Sequence, residues 1–313
     1  MKRALLVGND EYDNYRDLNG CANDVHALHP LIARHADDSV NFECLTGFNL
    51  TRDELILSVD QLLAPGASSA LLFFAGHGGQ TSDDVVLCAR DGTEQTPGLQ
   101  FSEVLGKIAS SPIPEIVVLL DCCFAGGAGG VPALASNAAT LRPGLTILAA
   151  SRNDQTSAES SQGRGLFSTY LEGALDGGAS DTLGRVDMGN LYAYVSESFG
   201  AWEQRPTFKA NIQRPLELRI CKPYLSRADL REVLSLFPEA TFELPLDPSF
   251  EPDAEPRDSE HERVFGLLQK ARAASLLEPI DEDHLYFSAM NSGGCRLTPL
   301  GRHYHHVHSE DRL

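Results

Sequence analysis

Apolar residues along this chain fall into short dense runs separated by longer stretches with helical spacing. Arg3 to Gly8, Val40 to Leu45, Ser69 to Ala75, Asp84 to Ala89, Glu115 to Leu120 and Leu145 to Ala150 read as strands. Ser69 to Ala75 and Val117 to Leu120 are apolar at nearly every position rather than every second one, the pattern of parallel strands covered on both faces. Between the strands, Asn23 to Arg34 carries Val25, Leu28, Leu31 and Ile32 near helical spacing, and Phe101 to Ala109 also reads as a helix. Thr51 to Leu63 opens with Thr51 three residues before Glu54, a capping-box signature. Gly165 to Leu175 and Met188 to Phe199 add two helices, and Thr207 to Ile220 supplies one or two last strands. Strands alternating with helices at this rhythm predict an α/β fold with a mainly parallel sheet flanked by helices.

The alternation then stops. Pro245, Pro248, Pro252 and Pro256 lie among acidic residues, so 223–260 reads as a linker. His261 to Ala274 is a helix, His284 to Ala289 and Gly294 to Thr298 flank the turn Asn291-Ser292-Gly293 as hairpin arms, and Leu300 to Val307 is a final helix. Gly294-Cys295-Arg296-Leu297-Thr298-Pro299-Leu300 resembles the wing-to-helix segment of winged-helix domains. The expected division is therefore a main domain over 1–222, a linker over 223–260 and a small α+β winged-helix-like module over 261–313.

Charge narrows the partners. With 25 basic and 44 acidic residues, the 313-residue chain has a net charge of −19, which disfavours nucleic acid and leaves a protein partner for the module. Seven scattered cysteines without C-x-x-C spacing form no disulfide framework, and a reducing cytoplasmic setting is expected. The apolar run after Met1 is too short for a signal-peptide core, and no stretch reaches the ~18 apolar residues of a membrane span.

Two strand ends hold the chemistry: Phe73-Phe74-Ala75-Gly76-His77-Gly78 and Leu120-Asp121-Cys122-Cys123-Phe124-Ala125-Gly126. Open α/β folds gather their chemistry at such carboxyl ends. A thiol needs a base or a cation beside it to ionise near neutral pH, and histidine titrates there. His77 precedes Cys123 by 46 residues, a span that can put the two on neighbouring strand ends as a pair for acyl transfer. The residues alone fit a packed histidine and inert thiols equally well. Adjacent thiols on an extended chain point to opposite sides, so one of Cys122 and Cys123 faces the site.

Together, Ala75-Gly76-His77-Gly78-Gly79-Gln80 and Asp121-Cys122-Cys123-Phe124-Ala125-Gly126 resemble the caspase-like cysteine peptidases, in the metacaspase form and its bacterial relatives. Leu18-Asn19-Gly20-Cys21-Ala22-Asn23-Asp24 and Gly165-Leu166-Phe167-Ser168 extend the resemblance, which covers about residues 3–220. It implies a larger catalytic part over 1–125, a loop over 126–143 and a smaller part over 144–222. It also implies Cys123 as nucleophile, His77 as general acid and base, the Gly78 backbone N–H as oxyanion donor, and a structural Cys122. Asp24 and Asp121 match the two acids of the family's S1 pocket, so the expected substrates are proteins or peptides with Arg or Lys at P1. A helix-start cap at Asp24 and a strand-end hydrogen bonder at Asp121 are the plainer alternatives. Arg152 leaves room for cleavage after an acidic residue instead.

The resemblance further implies self-cleavage in the 126–142 loop, at Arg142 or a nearby arginine, and a setting in bacterial defence or signalling. No cofactor is required. Asp83, Asp84 and Asp91 match no EF-hand loop but leave calcium dependence open. His303, His305, His306 and His308 near Cys295 fit a solvated helix end better than a metal site. The alternative function is a catalytically silent caspase-like scaffold acting through its C-terminal module.

Overall fold

The computed structural model describes residues 1–80, 84–122, 141–150, 163–199, 206–253 and 257–313. They divide into one unit of 1–180 with 185–221 and a second of 181–184 with 222–313.

In chain order the first unit runs β1 (Lys2–Gly8), α1 (Cys21–Ala33), β2 (Phe42–Phe48), α2 (Arg52–Leu63), β3 (Ser69–Gly76), β4 (Gly78–Gln80), β5 (Val85–Cys88), β6 (Gly98–Gln100), α3 (Phe101–Ser110), β7 (Glu115–Cys122) and β8 (Leu145–Ala149). It continues with α4 (Leu166–Gly173), β9 (Arg185–Val186), α5 (Met188–Ser198), β10 (Thr207–Asn211) and β11 (Arg219–Ile220). The main sheet has the order β10-β8-β7-β3-β1-β2, parallel throughout except for β10 on β8. Side chains alternate across it. Ala4, Leu6, Phe73, Val117 and Leu119 pack with α1, α4 and α5 on one face. Leu5, Val7, Leu72, Phe74, Val118 and Leu120 pack with α2 and α3 on the other. Burial on both faces is what the unbroken apolar runs require.

Three local devices aim the loops at the carboxyl end of this sheet. Thr51 and Glu54 form the capping box that starts α2. Asp10, just past β1, accepts from the Cys21 and Ala22 amides at 2.9 Å each and so caps α1 from another segment. Asn9, fully buried, accepts from Leu50 N–H at 2.9 Å and donates to the Cys88 carbonyl at 3.2 Å.

The second unit corrects the linker expectation. Residues 223–260 contain α6 (Arg227–Ser235) and β12 (Glu243–Pro245), followed by α7 (Ser259–Ala273), β13 (Leu277–Pro279), α8 (Leu285–Met290), β14 (Gly294–Leu297) and α9 (Pro299–Ser309). Leu230, Val233, Leu234, Phe237, Leu246 and Phe250 lie in one buried cluster with Phe265, Leu268 and Leu297. Two of the prolines are compatible with this order: Pro245 ends an edge strand, and Pro248 opens a short 3₁₀ turn capped by Asp247. His284 to Ala289 is not a hairpin arm either. Its buried positions Leu285, Ser288 and Ala289 fall at helical spacing, in α8. The antiparallel sheet runs β12-β14-β13, with α8 between β13 and β14, so the hairpin of a winged-helix reading is not formed there.

Candidate active site

The carboxyl ends of β3 and β7 lie side by side in parallel register, Ala75 opposite Asp121 and Gly76 opposite Cys122. His77 follows directly on one strand. Cys123 follows on the other and lies outside the described residues, as do 124–140, Asp83 and Arg152.

His77 is half-buried and held at both backbone and ring. Its N–H donates to the Tyr12 hydroxyl at 2.8 Å, and that hydroxyl donates onward to the Asn9 carbonyl at 3.1 Å. Gly76 permits this approach, since a Cβ there would lie 2.7 Å from the Tyr12 oxygen. The two rings pack with centroids 4.8 Å apart. Burial pushes the Tyr12 phenol far above its ordinary value, so it stays a neutral hydroxyl. At the far end of the imidazole, Nε2 lies 2.7 Å from the Arg16 carbonyl oxygen. A carbonyl only accepts, so Nε2 carries the hydrogen of the neutral ring and Nδ1 is the basic nitrogen.

Beside the histidine, Cys88 N–H donates to the His77 carbonyl at 3.0 Å. That bond makes Gly78 and Leu87 a non-hydrogen-bonded pair of the β4–β5 ladder and turns the Gly78 N–H away from β5. A cavity of about 380 Å³ opens here, lined by Tyr15, Arg16, His77, Gly78, Cys88 and Glu94 among others.

The two acids converge. Asp24, in the first turn of α1, and Asp121, at the end of β7, are only 2% and 6% exposed. Both meet the start of α4: a Cβ on Gly165 would lie 2.4 Å from Asp121 Oδ2 and 3.1 Å from Asp24 Oδ2. Asp24 Oδ2 accepts from the Gly165 amide at 3.1 Å, and Asp24 Oδ1 from Arg164 Nε at 3.0 Å. Asp121 Oδ2 accepts from the Ser168 amide at 3.2 Å and its hydroxyl at 2.5 Å. Asp121 is a strand-end hydrogen bonder, whereas Asp24 does not cap α1, whose start Asp10 holds; both carboxylates instead hold the α4 N-terminus and complement its dipole. Burial first and repulsion from Asp121 second push Asp24 up to about 7, against the pull of Arg164 and Gly165.

Other candidates have structural roles. Cys122 is buried in the apolar cluster that contains Leu120 and Phe74. The Arg142 guanidinium donates to the Ile108 and Ser111 carbonyls at 2.8 Å each, and to Ile113 and Pro114, so it caps the end of α3. Asp84 accepts from Val85 N–H at 2.8 Å and Ser102 N–H at 3.1 Å, and Asp91 from Arg52 N–H at 2.8 Å. The C-terminal histidines do not gather: His305 bonds the Phe237 carbonyl, His308 the Ser235 hydroxyl, and His306 faces Glu310. Cys295 is fully buried, which pushes its thiol up to about 12. Tyr12, Arg16 and Arg164 are not singled out by sequence reasoning. Only the polar Asn9-Asp10 pair at a strand end and an arginine between two glycines hint at them.

A six-stranded, largely parallel sheet with a glycine-flanked histidine after one strand and an aspartate at the end of its neighbour is the frame of a caspase-type peptidase domain. The chain belongs to that family: it matches the Peptidase C14 caspase domain over residues 1–217. It is 30% identical to Metacaspase-1 of Yarrowia lipolytica over 253 residues, 74% of this chain and 51% of that protein. Metacaspase-1 of Schizosaccharomyces pombe is 27% identical over 154 residues, covering 42% of this chain and 35% of that protein. Metacaspase-7 of Arabidopsis thaliana is 27% identical over 154 residues, 40% and 35% respectively. The chain thus spans about half or less of the length of these curated relatives.

Proposed function

We propose that the chain is a cysteine endopeptidase that cleaves after Arg or Lys. The observation that supports this is the register of Gly76 with Cys122, the residues that immediately precede His77 and Cys123 in the sequence. Along β3 and β7 the odd-numbered residues Phe73, Ala75, Val117 and Leu119 share one face. In the reaction, Cys123 Sγ gives its proton to His77 Nδ1 and attacks the scissile carbonyl, with the Gly78 N–H donating to the oxyanion. His77 returns the proton to the leaving amine, and water then hydrolyses the thioester. Asp24 and Asp121 select the basic side chain, and the chemistry needs no cofactor.

Self-processing at an arginine near Arg142 is the form favoured here, since the Arg142 guanidinium already donates to the carbonyls around the end of α3. A protein partner for the 222–313 unit, and a cytoplasmic defence or signalling setting, complete the reading. Among the described residues no helix is long and apolar enough to cross a membrane. Profiling a peptide library with wild type and Asp24→Ala tests the function. Cleavage after Arg and Lys that Asp24→Ala weakens is expected; cleavage after acidic residues, or none by folded protein, contradicts it.

A further inference from the structure

The acid pair that is to receive a substrate cation already has one. Arg164 holds Asp24 through Nε at 3.0 Å, and its Nη1 contacts Glu172. The Arg164 side chain is 15% exposed, and Asp24 beneath it is 2% exposed. No substrate side chain can reach Asp24 while Arg164 and the Gly165 amide cover it.

The cover is built to fit and built to move. Gly20, at the start of α1, lets it lie close: a Cβ there would sit 2.8 Å from the Gly163 carbonyl and 3.2 Å from Arg164 Cα. Gly163 takes φ +66°, a left-handed conformation that glycine adopts without strain, and among the described residues no atom lies within 4 Å of where its Cβ would be, so the segment has a glycine pivot beside Arg164. The grip is also incomplete. Arg164 offers Asp24 one N–H rather than a fork, and its Nη2 is buried without a hydrogen-bond partner among the described residues. A guanidinium that meets Asp24 with two N–H groups makes the stronger bond. Glu172, whose side chain is 36% exposed, stays available to hold Arg164 once it swings out.

We propose that Arg164 is a specificity-determining residue: it occupies the Asp24 carboxylate as an internal ligand, and a substrate's basic P1 side chain binds by displacing it. The proposal rests on the basic-residue reading given above. It makes selectivity a competition between two cations for one carboxylate, so uncharged side chains gain nothing by displacing Arg164.

Steady-state kinetics on the full chain test it, using peptides that differ only in arginine or its uncharged isostere citrulline at P1. Arg164→Gln is expected to lower KM for the arginine peptide about tenfold, roughly one charge-assisted hydrogen bond, with kcat within about twofold. A second measurement does not depend on that variant folding. In Cys123→Ala protein, the arginine peptide should speed hydrogen exchange of segment 163–168, because displacement takes the acceptor of the Gly165 amide away. The citrulline peptide should not. An unchanged or raised KM, or exchange that is unchanged or slowed, overturns displacement while leaving a preference for arginine over citrulline intact. Wild type that does not prefer arginine to citrulline overturns the basic-residue reading, and this proposal with it.

Discussion

His77 Nε2 and the Arg16 carbonyl oxygen lie 2.7 Å apart, so a main-chain atom fixes which ring nitrogen is left basic. The His77 backbone is fixed in turn by the Tyr12 hydroxyl, which joins it to the end of β1. Tyr12→Phe removes that acceptor and leaves the half-buried His77 N–H without its partner. A loss of about 1–3 kcal/mol of stability is expected in urea titrations, together with lower kcat. An unchanged urea midpoint would mean that water replaces the hydroxyl at no cost.

The pH dependence has opposite signs for stability and for activity. Asp24 titrates at about 7 in the fold, beside Asp121, Arg164 and Cys21. In the unfolded chain it returns to the ordinary aspartate value of about 4. The folded state therefore holds this proton more tightly, and the site's contribution to stability is complete below about 4 and lost as pH rises through about 7. Activity on basic peptides should rise over the same window, as the carboxylate forms. Asp24→Asn should flatten both profiles; urea midpoints and initial rates between about pH 5 and 8 check them.

Arg142 binds several carbonyls at and beyond the end of α3. Arg142→Ala leaves them without their donor and is expected to cost about 1–3 kcal/mol in urea titration. Intact-mass analysis of active wild type should show no cut after residue 142. A product ending there would show that this end of α3 opens before processing.

Residues 225–250 contribute buried side chains to a core rather than forming a linker. Leu234, fully buried, should cost about 2–5 kcal/mol when replaced by Ala. Limited proteolysis should spare α6 in wild type and cut it in that variant. Cleavage of wild type inside α6 under native conditions would contradict this.

The parallel strands and the two strand ends are legible in the sequence because burial on both faces leaves unbroken apolar runs that stop at His77 and at Asp121. The 223–260 region is not, because Pro245 and Pro248 sit at an edge strand and a 3₁₀ turn, where composition alone looks the same as a loop. The segment around Ser288 misleads for a related reason: six residues are too few to separate helical from strand spacing. Asp24 and Asp121 can be named from the resemblance. Their closure by Arg164 cannot, since it depends on a contact between residues 140 positions apart.

In the proposed mechanism Cys123 and His77 act as one unit. Treating folded wild type with a peptidyl-arginine electrophile and mapping the adduct by mass spectrometry tests it most directly. One adduct on Cys123, absent in Cys123→Ala and strongly slowed in His77→Ala, is the expected result. Labelling of Cys123 that proceeds equally fast without His77, or that falls on another cysteine, would contradict the pairing.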